Sequence, residues 1–173
     1  MMMKPSFMNL KGRLAGLAFP ALFIVFAPLS AAWAEHKVID GTVTGSEFIG
    51  NSVVTDSAAG HSVTVVSGGG FDGDAVIGGF AEVSNGTGSA TATGNSVTIS
   101  GGEVKVTEAV IGGGADVFFN SGVGTGSATA TDNSVTISGG EVTGYVIGGE
   151  ADTNDGGGSA TVIGNSVTIS GGK

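Results

Sequence analysis

From residue 61 onward the chain alternates apolar and polar positions in short runs. In Ser96-Val97-Thr98-Ile99-Ser100, Val97 and Ile99 fall on one side of an extended chain and the three hydroxyls on the other. This period of two marks a half-buried strand. Val135 with Ile137, and Val167 with Ile169, repeat it. A second strand is predicted downstream, as in Val142-Thr-Gly-Tyr-Val-Ile147, closed by Gly148-Gly149. Ser89-Ala-Thr-Ala-Thr93 predicts a weaker third strand whose small alanines face in or out according to register.

The runs recur as a unit. Gly88 to Val104 returns at Gly126 to Val142 with Asp132 in place of Gly94, and again at Gly158 to Gly172 with Val162-Ile163 in place of Ala-Thr. His61 to Gly69 is a degenerate copy, and a fainter one starts at Asn51-Ser-Val-Val54. Between copies lies a second motif: Ala75-Val-Ile-Gly-Gly79, Ala109-Val-Ile-Gly-Gly113 and Tyr145-Val-Ile-Gly-Gly149. The Ser-Val-Thr cores at Ser62, Ser96, Ser134 and Ser166 are 34, 38 and 32 residues apart, and the variation falls in Gly-, Asn- and Asp-rich links expected to be loops.

Three short strands in a unit of this length make one coil of a β-solenoid. One coil cannot bury its own apolar face. Coils stacked about 4.8 Å apart put Val97 beside Val135 and Val167, and Ile99 beside Ile137 and Ile169, in continuous ladders. Burying each such side chain stabilises by roughly 1.5–3 kcal/mol. The expectation is therefore an all-β parallel β-helix, or β-solenoid, of about three to four coils. Residues 61–173 form the repeats and residues 35–60 an atypical N-terminal cap.

Composition supports this and separates a leader. Of 173 residues 34 are Gly and none is Cys, and beyond residue 34 there is no Leu, Met, Arg or Trp, so the strongest helix formers are largely missing. Residues 1–34 carry Lys4, Lys11 and Arg13, then an apolar run from Leu14 to Pro28, then Ala31-Ala32-Trp33-Ala34. This is the pattern of a helical signal peptide cleaved before Glu35. All fifteen acidic residues follow it, against Lys37, Lys105 and Lys173. Three scattered lysines cannot neutralise a phosphate backbone, which excludes nucleic acid as a partner. Export to the periplasm, the cell surface or the medium is the expected localisation.

The segments Asn95 to Gly102, Asn133 to Gly140 and Asn165 to Gly172, the first two followed by Val-Ile-Gly-Gly, resemble the low-complexity passenger repeats of bacterial autotransporters. The resemblance covers roughly residues 51–173. It implies a right-handed parallel β-helix displayed as an adhesin at the outer membrane, with a host or cell-surface glycan or protein as ligand. It also implies a β-barrel translocator, which this chain does not encode, so a reading frame truncated before the barrel is expected. The alternative is a stand-alone secreted solenoid that binds glycan or calcium. The shorter-period heads of trimeric adhesins are a more distant likeness, because the Val-Ile-Gly-Gly segment has no place in them.

The chemistry-bearing residues read mainly as structural. Asn95, Asn133, Asn165 and His61 precede the same strand and suit a stacked amide ladder or turns. Glu103 and Glu141 share a position, and Lys173 near them relieves their repulsion. Gly68-Gly-Gly-Phe-Asp-Gly-Asp74 has the composition of a calcium-binding turn, with Asp72 and Asp74 as ligands, and Ala151-Asp-Thr-Asn-Asp-Gly156 is a second such segment. Each occurs singly, whereas such sites draw ligands from consecutive turns. His36 and His61 are the only histidines, and Lys105 is the only lysine inside the repeats before the final Lys173. The sequence therefore assigns no catalytic residue, no metal ligand and no cofactor, and the chain is read as a non-enzyme.

Overall fold

The computed structural model describes residues 34–51, 55–84, 87–118, 125–154 and 158–173. The expected signal peptide, apart from Ala34, lies outside the described residues, as do positions 52–54 of the faint first copy and positions 155–156 of the second Asp-rich segment.

The described chain is all β, and every strand pairing is parallel. It winds as stacked coils. The first coil holds β1 (His36–Ile39), β2 (Thr42–Ile49) and β3 (Ser57–Ala59). The second holds β4 (Ser62–Val65), β5 (Gly70–Ile77), β6 (Phe80–Val83) and β7 (Ser89–Thr93). The third holds β8 (Ser96–Ile111), β9 (Gly114–Phe118) and β10 (Ser127–Thr131), and the fourth β11 (Ser134–Ile147), β12 (Glu150–Asn154) and β13 (Ser159–Ile163). A last strand, β14 (Ser166–Ile169), opens a fifth turn. Sheet 1 joins β1, β2, β4, β5, β8, β11 and β14; sheet 2 is β6-β9-β12; sheet 3 is β3-β7-β10-β13.

The expected ladders form with identical residues in register. Val63, Val97, Val135 and Val167 make one column, and Val65, Ile99, Ile137 and Ile169 the next. Val63, Val65, Val97, Ile99 and Val135 are fully buried, and Val76, Val104 and Val110 from the trailing part of sheet 1 pack against them. The register left open for Ser89–Thr93 resolves with the alanines inward: Ala58, Ala90, Ala92 and Ala128 are fully buried with Ala81 and Val117 in a second cluster. Small side chains here let sheet 3 approach sheet 2 closely.

Three features differ from the sequence reading. First, the Ser-Gly-Gly after each Ser-Val-Thr-Ile does not end a strand in the third and fourth coils. It is absorbed as a register shift inside the continuous strands β8 and β11. Gly102 takes φ 79°, and a Cβ there would lie 2.0 Å from the Gly69 carbonyl oxygen, so the bend admits only glycine. Second, the links after Gly-Gly contain the strands of sheet 2, with Ala81, Ala115 and Ala151 in one column and Val83 and Val117 in another. Third, the strands within the expected cap, residues 35–60, stack on the second coil as a coil of their own. β1 pairs with β4, β2 with β5 and β3 with β7.

That first coil closes the lower end of the core with a charge. Lys37 occupies the bottom of the valine column, opposite Val63. Its Nζ donates to the Ile49 carbonyl at 2.7 Å and lies 5.9 Å from the centroid of the Phe48 ring, which in turn meets Phe71 edge-on at 6.4 Å. A lysine at an inward position of an edge strand disfavours pairing with another chain.

Candidate functional site

The two motifs found separately in the sequence meet at one interior corner. At the end of each coil an asparagine side chain reaches toward the coil below. Asn133 Oδ1 accepts the backbone N–H of Asn95 at 2.9 Å and its Nδ2 at 3.1 Å, and Asn165 Oδ1 accepts the same pair from Asn133 at 2.7 and 3.0 Å. Each Nδ2 also donates to an alanine carbonyl of sheet 3: Asn95 to Ala58, Asn133 to Ala92 and Asn165 to Ala130. Gly-Gly makes room for this. A Cβ on Gly79, Gly113 or Gly149 would lie 2.3–2.4 Å from the Oδ1 of Asn95, Asn133 or Asn165. The three asparagines are an amide ladder, and His61 stands below it, joined through its backbone N–H.

His61 differs because it has an ordinary rung only above it. Its backbone N–H donates to Asn95 Oδ1 at 2.9 Å, while its Nδ1 accepts the N–H of Glu35 at 3.0 Å. Burial pushes the imidazole below its usual range, with Lys37 adding to the fall and Glu35 opposing it. In the first coil Asn51 stands at the Gly79 position and turns its amide upward, with Nδ2 donating to the Phe80 carbonyl at 2.9 Å and Oδ1 accepting the Phe80 N–H at 2.8 Å.

The acidic candidates lie on the outside. Glu103 and Glu141 stack in register, with Lys105 Nζ 2.9 Å from Glu103 and Lys173 Nζ 3.7 Å from Glu141. The hydrogen bond that Lys105 donates to Glu103, then the Glu103 charge, raises the Lys105 pKa. Asp72 stands in register with Lys105, and Asp74 accepts a hydrogen bond from Thr107 Oγ1 at 2.9 Å. Among the described residues no three His, Cys, Asp or Glu side chains are grouped so as to hold a metal ion.

A larger acidic surface was not legible in the sequence. Glu82, Asp116 and Asp152 form a column along sheet 2, one carboxylate per coil. Like charges opposite one another on neighbouring strands repel. Beside it a bulge sets Asp74 alone opposite Thr107 and the half-buried Glu108, since Gly73 pairs with Val106 and Ala75 with Ala109. Burial raises the pKa of Glu47, and Glu108, Asp74 and Glu82 raise it further. Glu150 is raised in the same way by burial, then by Asp152 and Glu108. The readable signal was a third motif, Gly-Gly-x-Ala followed by an acid: Glu82, Asp116 and Asp152 each stand three residues after Gly79, Gly113 and Gly149.

Above the first coil, the opposite half of each coil is neutral. On sheet 3 the outward columns are Ser89-Ser127-Ser159, Ser57-Thr91-Thr129-Thr161 and Ala59-Thr93-Thr131-Ile163. On the leading part of sheet 1 they are Ser62-Ser96-Ser134-Ser166 and Thr64-Thr98-Thr136-Thr168. Among the described residues, no Asp, Glu, Lys or aromatic side chain occurs in these strands above the first coil. The carboxylates are confined to the other half and to the corners.

Compared with protein-family models, curated proteins and solved structures, the chain shows no match.

Proposed function

We propose that the chain is an exported, non-catalytic structural or adhesive surface protein, a passenger-like β-solenoid of the kind autotransporters display. The observation that carries the reading is the coil-to-coil repetition of outer columns: serine and threonine on sheet 3 and the leading part of sheet 1, and the carboxylates Glu82, Asp116 and Asp152 on sheet 2. A stack built this way offers a long surface of uniform chemistry, which suits many weak, repeated contacts with a cell-surface glycan or protein. The charged lysine at the bottom of the valine column fits a stack whose growth is meant to stop at that end.

Export is the first step to test. The full chain is expressed in a Gram-negative host, the envelope and cytoplasm are separated, and the N-terminus of the recovered protein is sequenced. A chain starting at Glu35 and recovered from the periplasm, the surface or the medium agrees with the proposal. A chain retained in the cytoplasm with residues 1–34 intact contradicts it. Supplying an autotransporter barrel in frame after Lys173 then tests display: protease added to intact cells removes the coils if the chain acts as a passenger.

A further inference from the structure

We propose that the neutral hydroxyl face of sheet 3, continued by the hydroxyl columns of sheet 1, is a binding surface whose ligand is the ordered water lattice of ice. This goes beyond the adhesive reading and does not depend on the route of export. The columns Ser89-Ser127-Ser159, Thr91-Thr129-Thr161 and Thr93-Thr131 form a rectangular net, with Ile163 ending the last of them. Neighbouring strands repeat about every 4.8 Å, and outward residues two apart along a strand about every 6.6 Å. These two repeats are close to those of water oxygens on a prism face of ice.

Regularity is what the surface adds to its chemistry. The pairings within sheet 3 run without a register shift, unlike those of sheet 1, where bulges interrupt the trailing strands. Beneath the net, Ala90, Ala92, Ala128 and Ala130 are fully buried, so β7 and β10 are fixed from behind, while Ala160 and Val162 behind β13 are exposed at the end of the stack. A lattice ligand is held by many single hydrogen bonds, each weak, and only a preorganised array lets them add without a further ordering cost. Ser89 Oγ and Ser127 Oγ are already 2.9 Å apart, a hydrogen-bonded step along a column. Threonine also offers a methyl group beside each hydroxyl, which favours the ordered water that a crystal face requires.

Charge and aromatic content select this ligand over others. In an acidic chain the net itself bears no carboxylate, and charged groups would bind water in shells that do not fit a neutral lattice. Glycan surfaces present their ring faces to aromatic side chains, and among the described residues Phe48, Phe71, Phe80, Phe118 and Tyr145 all stand on sheet 2 or the trailing part of sheet 1.

The test is ice-crystal shaping and inhibition of ice recrystallisation by the purified protein, compared with Thr129→Lys at the centre of the net and Glu82→Lys on the acidic face. Circular dichroism confirms that each variant is folded, and Thr91→Lys replaces Thr129→Lys if the latter is not. The proposal expects faceted crystals and recrystallisation inhibition from the parent. It expects at least a tenfold loss in Thr129→Lys and little change in Glu82→Lys. No effect of the parent on ice, or equal loss in both variants, overturns it. So does binding to insoluble cellulose or chitin through Thr129 without any effect on ice.

Discussion

Asn133 Oδ1 accepts two hydrogen bonds from Asn95, one from its backbone N–H and one from its side chain, in a fully buried corner. The pair joins the end of one coil to the end of the next. Removing one rung therefore strands donors on another. Asn133→Ala leaves two donors of Asn95 and the Ala92 carbonyl without their partner, a loss of about 3 kcal/mol. Asn165→Ala acts at a part-exposed rung and should cost roughly 1 kcal/mol, because water can replace the lost partner there. Urea unfolding of both variants measures the difference; equal costs would show that the ladder is not a core element.

The glycines divide into those that make room for the ladder and those that do not. A Cβ on Gly113 would lie 2.3 Å from Asn133 Oδ1, and one on Gly112 would lie 2.2 Å from the Gly148 carbonyl oxygen, while Gly41 and Gly45 have nothing within 4 Å. Gly112→Ala, which meets fixed backbone, and Gly113→Ala, which meets the hydrogen-bonded Asn133 side chain, should each cost about 3 kcal/mol or prevent folding. Gly41→Ala should be neutral or stabilise by up to about 1 kcal/mol through the unfolded chain. Thermal midpoints of the three variants check this ordering.

This corner also shows how much of the molecule the sequence could reveal. Val97, Ile99, Val135 and Ile137 announce themselves, because β-branched residues alternating with hydroxyls have one reading and their repetition fixes the register. The strands of sheet 2 do not. Phe80-Ala-Glu-Val83 and Gly114-Ala-Asp-Val-Phe118 carry an acid or a glycine where strand formers would stand, and only the spacing of Ala81 to Val83 and Ala115 to Val117 marks the buried side. Coil 1 escaped recognition as a repeat since His36-Lys37-Val38-Ile39 has lost the Ser-Val-Thr-Ile pattern, and Glu47-Phe-Ile-Gly-Asn51 carries asparagine where the later copies carry glycine. The acidic surface needed three coils stacked before Glu47, Asp74 and Glu108 became neighbours.

Lys37 should act as a stop. Lys37→Val extends the valine column to the lower edge and removes the charge that guards it, so the folded variant should associate through β1 and its neighbours. Light scattering against concentration is expected to show growth in mass for Lys37→Val and none for the parent under the same conditions. A variant that stays at the parent's mass would mean that Lys37 contributes only its hydrogen bond to Ile49.

Stability should depend on pH in two opposing ways. Glu47 and Glu150 have folded pKa values above their unfolded ones, so the folded state holds the extra protons. Their destabilising effect is full above the raised folded pKa and fades as pH falls toward the unfolded value. His61 is lowered, so its contribution is present above the unfolded imidazole pKa and is lost as pH falls through it toward the folded one. The double variant Glu47→Gln with Glu150→Gln should be more stable than the parent at neutral pH, with the advantage shrinking on acidification through the carboxylate range. Thermal melts across that range measure the convergence, and parallel curves would contradict it.

The parallel, in-register stack underlies the functional reading, the hydroxyl net and every prediction above, and the absence of native cysteine allows a direct test. Thr98 and Thr136 are register partners on one outer face, about 4.8 Å apart. Thr98 and Ser134 share that face but are offset by two residues, about 8 Å apart. A disulfide bridges the first separation and not the second. Mild oxidation of Thr98→Cys/Thr136→Cys should close a bond within one chain, read by mass and by mobility before and after reduction, while Thr98→Cys/Ser134→Cys stays reduced. Closure of the offset pair, or failure of the in-register pair in a folded variant, would contradict the stack.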